Sequence, residues 1–98
     1  MRKIINNKLF EWDDEKAKIN KMKHGISFET AAMVFRDENR IEEYDDSHSS
    51  SEDRWKTIGR VKDILFVVYT ERIGTRLISA RKATLYERSL YYDSQEMD

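Results

Sequence analysis

The sequence predicts an α+β fold with two N-terminal helices, an antiparallel sheet of about four strands and a C-terminal helix. Three observations point there. Apolar residues recur at helical spacing in "SFETAAMVF", three β-rich runs follow one another between residues 55 and 81, and "TLYERSLYY" closes the chain with a helix-capping signal. At 98 residues the chain has room for one core, so residues 1–98 form a single domain, with its body over about 9–92 and a fraying tail at 93–98.

Taken in order, "FEW" at Phe10–Trp12 suits a short edge strand. Asp13 can then cap a first helix, whose opening acids Asp14 and Glu15 favour the positive end of the helix dipole. The first helix runs to about Lys23. It has a thin apolar stripe at Ile19, Met22 and Ile26, so it is held mainly by its ends. Gly25 is the expected residue after the helix, because a residue without a Cβ takes the left-handed conformation cheaply. Ser27 caps a second helix, in which Phe28, Ala31, Ala32 and Phe35 fall at i, i+3, i+4 and i+7.

"RIEEY" reads as an edge strand and "DDSHSSSED" as a polar loop, too poor in apolar residues to order itself well. "RWKTIGR", "DILFVVYTER" and "TRLISAR" are strands joined by turns short enough for hairpins. Period two places Leu77, Ser79 and Arg81 on one face of the last strand and Arg76, Ile78 and Ala80 on the other. Thr84 caps the final helix, with Leu85, Ser89 and Tyr92 on one side and Glu87 and Arg88 on the opposite one.

Composition narrows the class of function. Apolar residues make up 39% and charged residues 38%, with no Pro and no Cys, so a disulfide framework and a thiolate metal site are excluded. No apolar run reaches the ~20 residues of a membrane span and no signal-peptide pattern opens the chain, so a cytoplasmic protein without membrane contact is expected. The net charge of −1 is unevenly spread: residues 37–53 carry one Lys/Arg against eight Asp/Glu, whereas residues 54–88 carry nine against three. A basic second half suits a polyanion, with the acidic segment on another side.

The residues able to do chemistry are Lys23 and His24 at the end of the first helix, Arg60 and Glu71 at strand ends, and Arg81 at the end of the last strand. Gathered at one rim, they would supply proton transfer and cations for a phosphodiester, with Glu71 a possible base for a ribose 2′-hydroxyl and no metal required. Each also has a structural role open to it. His24 and Lys23 can cap a helix C-terminus, and Glu71 can pair with Arg72 or Arg81 across strands. Asp45, Asp46 and His48 lack the rigid spacing of a metal site and read as a solvated loop.

"FEWDDEKAKINKMKHGISFETAAMVF", "RWKTIGR", "FVVYTER" and "LISARKATLYERSLY" together resemble the BrnT family of bacterial toxins over about residues 9–92. That resemblance implies a RelE-like RNase-toxin fold and a metal-independent endoribonuclease that needs no cofactor and halts translation by cutting RNA. It implies a BrnA-like antitoxin that forms a hetero-oligomer with the toxin and contacts DNA on its behalf. The family's "KHG", "IGR", "TER" and "ISAR" fall on Lys23 and His24, Arg60, Glu71 and Arg81. A non-catalytic RNase-like module in an autorepressing complex and a metal-dependent nuclease are the competing readings.

Overall fold

A β-hairpin, not a helix, opens the fold. In the computed structural model, which describes residues 1–95, Arg2–Ile5 (β1) and Lys8–Glu11 (β2) pair antiparallel around Asn6 and Asn7, at φ 53° and 66°. Asn tolerates the left-handed region better than most residues, and two such residues in succession give a hairpin turn whose twist matches its strands. Next come Asp14–His24 (α1), Phe28–Ala32 (α2), a 3₁₀ turn at Met33–Arg36, Ile41–Tyr44 (β3) and a second 3₁₀ turn at Asp46–His48. Trp55–Arg60 (β4), Ile64–Glu71 (β5), Thr75–Lys82 (β6) and Leu85–Gln95 (α3) complete the chain.

The six strands form one sheet in the order β1-β2-β6-β5-β4-β3, antiparallel throughout except where β2 meets β6 in parallel. This overturns the expected pair of N-terminal helices followed by about four antiparallel strands. β1 is almost wholly exposed, so it carries no alternation of apolar and polar residues to betray it. "FEW" is not an edge either, because β2 is flanked by β1 and β6. The edge strand at "RIEEY" is where it was expected, as β3.

Local signals at the helix ends act as anticipated. Asp13 accepts the Lys16 N–H at 3.0 Å, and the Ser27 hydroxyl accepts the Thr30 N–H at 3.1 Å. Gly25, at φ 72°, closes α1 by donating its N–H to the Lys21 carbonyl at 2.8 Å. Thr84 and Glu87 form a reciprocal capping box: the Thr84 N–H reaches the Glu87 carboxylate at 2.9 Å and the Glu87 N–H reaches the Thr84 hydroxyl at 3.2 Å. The buried side of α3 differs from the expected one, since Tyr91 is buried with Leu90 against Ile58 and Ile64, while Leu85 and Tyr86 face solvent. α3 also continues to Gln95, past the point where fraying was expected; residues 96–98 lie outside the described residues.

The main core lies between one sheet face and α1, α2 and the first 3₁₀ turn. Phe10, Trp12, Phe28, Leu65, Tyr69 and Leu77 are its large members, and Phe35 joins it by a tilted contact to Phe10 at 5.3 Å and an edge-to-face contact to Tyr69 at 5.0 Å. β4 passes so close to the 3₁₀ turn that a Cβ on Gly59 would sit 2.7 Å from the Val34 side chain. That contact explains the glycine of "IGR".

α1 has little apolar surface to bury, and a polar residue docks it. Asn20, buried in its middle, donates to the carbonyls of Ile26 and Ala80 at 3.0 and 2.8 Å and accepts the Ala80 N–H at 3.1 Å. Replacing Asn20 with Ala leaves both Ala80 main-chain groups without these partners, so denaturant unfolding should show a loss of about 2–4 kcal/mol. Phe28→Ala, which empties a site in the core, should cost about 3–5 kcal/mol in the same measurement.

Candidate active site

The register of β5 and β6 decides which way Arg81 points. Tyr69 lies opposite Leu77 but Val68 lies opposite Ser79, so Ile78 is an extra residue, a β-bulge. The bulge resets the alternation: Leu77 and Ala80 both enter the core, and Arg81, opposite Phe66, emerges on the other face of the sheet. The period-two expectation that Leu77 and Arg81 share a side is therefore wrong. The Arg81 guanidinium stacks 4.1 Å from the Phe66 ring centre and makes a two-pronged ion pair with Glu87 at 2.8 and 3.0 Å. The guanidinium holds the Glu87 carboxyl below the ordinary carboxylate range, and Glu87 raises Arg81 in return.

α3 covers the end of this second face near Ile58 and Ile64. The remainder forms a groove of about 370 Å³, floored by Phe66, Val68, Ile78 and Ser79 and walled by Arg54, Lys56, Arg81, Asp45 and His48. A second, smaller groove of about 200 Å³ shares Ile78 and Ser79 with it and is walled by Lys16, Lys23 and His24 of α1. Asn20 creates this adjacency, because pinning the middle of α1 to Ala80 sets the next helical turn beside Ser79. The main-chain N–H of Gly25 supplies the C-terminal cap bond, which leaves the side chains of Lys23 and His24 to line the groove.

Arg60 and Glu71 are elsewhere. Arg60 lies opposite Ile64 at one end of β5 and Glu71 is the other end, seven residues or about 23 Å along an extended strand. Glu71 accepts the Thr75 hydroxyl at 3.0 Å across the β5–β6 turn. Arg60 lines a separate pocket of about 330 Å³ with Met33, Arg36, Asp37 and Val61, and its N–H donates to Asp37 at 2.8 Å. Of the five expected site residues, the fold thus sets Lys23, His24 and Arg81 around Ser79 and Ile78 and separates the other two.

Sequence reasoning weighed Asp45 and His48 only as part of a metal cluster and read them as a solvated loop, and it passed over Arg54 and Lys56. The i, i+3 spacing of Asp45 and His48 was the available signal: the Asp45 carboxylate meets His48 Nδ1 at 3.1 and 3.2 Å. Among the described residues no three His, Cys, Asp or Glu side chains gather into a group that could hold a metal ion.

A six-stranded mixed sheet, helices on both faces and a groove lined by Arg54, Lys56, Arg81 and His48 across its open half define a small α+β protein. The chain belongs to the BrnT family: residues 12–87 match the family described as "Ribonuclease toxin, BrnT, of type II toxin-antitoxin system". The 1.1 Å crystal structure of the Brucella abortus ribonuclease toxin BrnT shares the fold, with a TM-score of 0.56 and 21% sequence identity over 76% of this chain and 95% of that one. A search of curated proteins found no significant match. Among the described residues no helix is long and apolar enough to cross a membrane.

The Asp37 site ties three elements together and yields a pH prediction. Burial pushes the Asp37 carboxyl up, but hydrogen bonds from the Tyr91 hydroxyl (2.5 Å) and the N–H groups of Arg60 (2.8 Å) and Asn39 (2.9 Å) outweigh it and leave it below its ordinary value. A carboxyl lowered by folding stabilises the protein above its unfolded pKa, and that contribution is lost as pH falls through the folded one. Stability below pH ~4 should therefore fall less steeply in Asp37→Asn than in the parent, in urea titrations at stepped pH. Burial and the Asp37 carboxylate push Tyr91 up to about 12, so its contribution should be lost only as pH rises from ~10 towards that value.

Proposed function

We propose that this chain is an endoribonuclease that cuts RNA across the paired grooves at Ser79, with Lys23, His24 and Arg81 acting on the scissile phosphate. The observation that carries the proposal is the bulge at Ile78, which turns Arg81 out of the core and into a cationic groove adjoining the Lys23–His24 end of α1. His24 takes or gives the proton, while Lys23 and Arg81 hold the non-bridging oxygens as charge develops on phosphorus. Protein cations supply the charge stabilisation, so the reaction runs without a metal. Arg60, beside Arg36, serves the RNA backbone beyond the cut. Glu71, tied to Thr75, steadies the β5–β6 turn.

Membership of a type II toxin family supports a protein antitoxin as partner. We propose that it is BrnA-like, that it forms a hetero-oligomer with the toxin and reaches DNA for both, and that free toxin arrests translation in the cytoplasm. One observation favours a second reading, a non-catalytic RNase-like module in a regulatory complex: Glu87 already neutralises Arg81.

Incubating purified protein with RNA, with and without EDTA, separates these readings. Cleavage that persists in EDTA is expected; cleavage lost with EDTA indicates a metal enzyme, and intact RNA indicates the module. Arg81→Ala should lower the cleavage rate about 10²–10³-fold. His24→Ala should lower it about 10²–10⁴-fold with the melting temperature nearly unchanged, because the α1 cap bond comes from Gly25. Full activity in both folded variants would refute the site.

A further inference from the structure

We infer that His48, oriented by Asp45, is a second proton-transfer group of the groove and protonates the leaving 5′-oxygen. The inference rests on the ribonuclease reading above.

The segment that carries this pair is built rather than loosely solvated. The Asp45 N–H donates to the Arg54 carbonyl at 2.9 Å, the Ser49 hydroxyl donates to the Asp45 carbonyl at 2.6 Å, and Ser49 accepts the Arg54 N–H at 2.9 Å. These bonds staple the two ends of the loop and hold Asp45 at 7% exposure inside an otherwise acidic, exposed run. Burying a carboxylate is costly unless it is partnered. Its partners here are the Ser47 hydroxyl at 3.0 Å and His48 Nδ1 at 3.1 and 3.2 Å.

An ionised carboxylate only accepts hydrogen bonds, so Nδ1 carries a proton and Nε2 is the nitrogen left for a bound phosphodiester. The ring itself remains open, with its side chain 66% exposed on the wall of the groove that holds Arg81. An imidazole fixed through one nitrogen by a carboxylate and free at the other is the arrangement proton transfer requires. Arg54, Lys56 and Arg81 are the other charged residues lining that groove, and Glu52, Glu43 and Glu87 respectively partner them.

In the step proposed, the ribose 2′-oxygen bonds to phosphorus and its proton passes to His24. His48 enters the step as the imidazolium, and the bond from phosphorus to the 5′-oxygen breaks as that oxygen takes the Nε2 proton, leaving a neutral imidazole whose Nδ1 proton stays hydrogen-bonded to Asp45. The products are a 2′,3′-cyclic phosphate and a 5′-hydroxyl, and no oxidant, reductant or metal enters the balance. Asp45 is a positioning residue, acting through His48.

The test compares two single-stranded RNA oligonucleotides, identical except that one carries sulfur in place of the 5′-bridging oxygen at the bond the wild-type protein cuts. A thiolate leaves without being protonated, so a missing general acid matters little there. His48→Ala and His48→Gln should cleave the oxygen substrate about 10²–10⁴-fold more slowly than wild type and recover most of that loss on the sulfur substrate. Asp45→Asn should show a smaller loss with the same recovery. No loss on the oxygen substrate, or equal loss on both in the Gln variant, which retains a side-chain N–H for Asp45, overturns the inference. If Arg81→Ala abolishes cleavage while the His48 variants cut normally, the groove stands and the role of His48 falls; wild-type protein that leaves RNA intact overturns both.

Discussion

The free edge of β6 is the constraint around which the molecule is arranged. β2 pairs with β6 only at Thr75 and Arg76, yet β6 runs on to Lys82, so its outer edge beyond Arg76 has no strand beside it. Buried main-chain donors and acceptors need partners. The Asn20 carboxamide supplies both for Ala80, imitating a peptide group from a neighbouring strand. A helix with almost no apolar face is thereby held against a sheet edge by hydrogen bonds, and its C-terminal turn is delivered to the surface beside Ser79. Packing, docking and the placement of Lys23 and His24 thus share one cause.

The bulge at Ile78 is the second decision, and it acts on charge. Without the extra residue, Arg81 would point into the same core as Leu77, where an unpaired guanidinium cannot stay. With it, the strand places Leu77 and Ala80 inside and Arg81 outside within five residues. Glu87 then does two jobs, capping α3 through Thr84 and holding Arg81, so the last helix and the groove wall are built by the same carboxylate.

The acidic segment 37–53 does not stand apart from the basic half of the chain as its composition suggested. Glu43 pairs with Lys56, Glu52 with Arg72, Glu42 with Arg40 and the Tyr69 hydroxyl, and Asp37 with the Arg60 N–H and Tyr91. Exposed ion pairs such as Glu43–Lys56 add little stability individually. The ion pairs of Glu43 and Glu52 neutralise cations locally, so that the charge near the groove is set by geometry rather than by the count of Lys and Arg.

By itself the sequence determined the features that depend on neighbours a few residues away. The caps at Asp13, Ser27, Gly25 and Thr84 follow from local hydrogen bonding and backbone strain, and β3 to β6 follow from β-rich runs and short turns. The resemblance carried by "KHG", "ISAR" and their companions reached the family for the same reason, since it reads residues in order. Tertiary structure alone decided the rest. The exposed hairpin β1–β2 has no pattern to read, its parallel pairing with β6 joins residues more than sixty positions apart, and the bulge at Ile78 exists only once β5 and β6 have found their register. The β4–β5 register separates Arg60 from Glu71, the Asn20–Ala80 bonds bring α1 beside the strand that carries Arg81, and the β3–β4 pairing sets Asp45 and His48 over the same groove. Each turns on which strand lies next to which, a relation that local propensity does not contain.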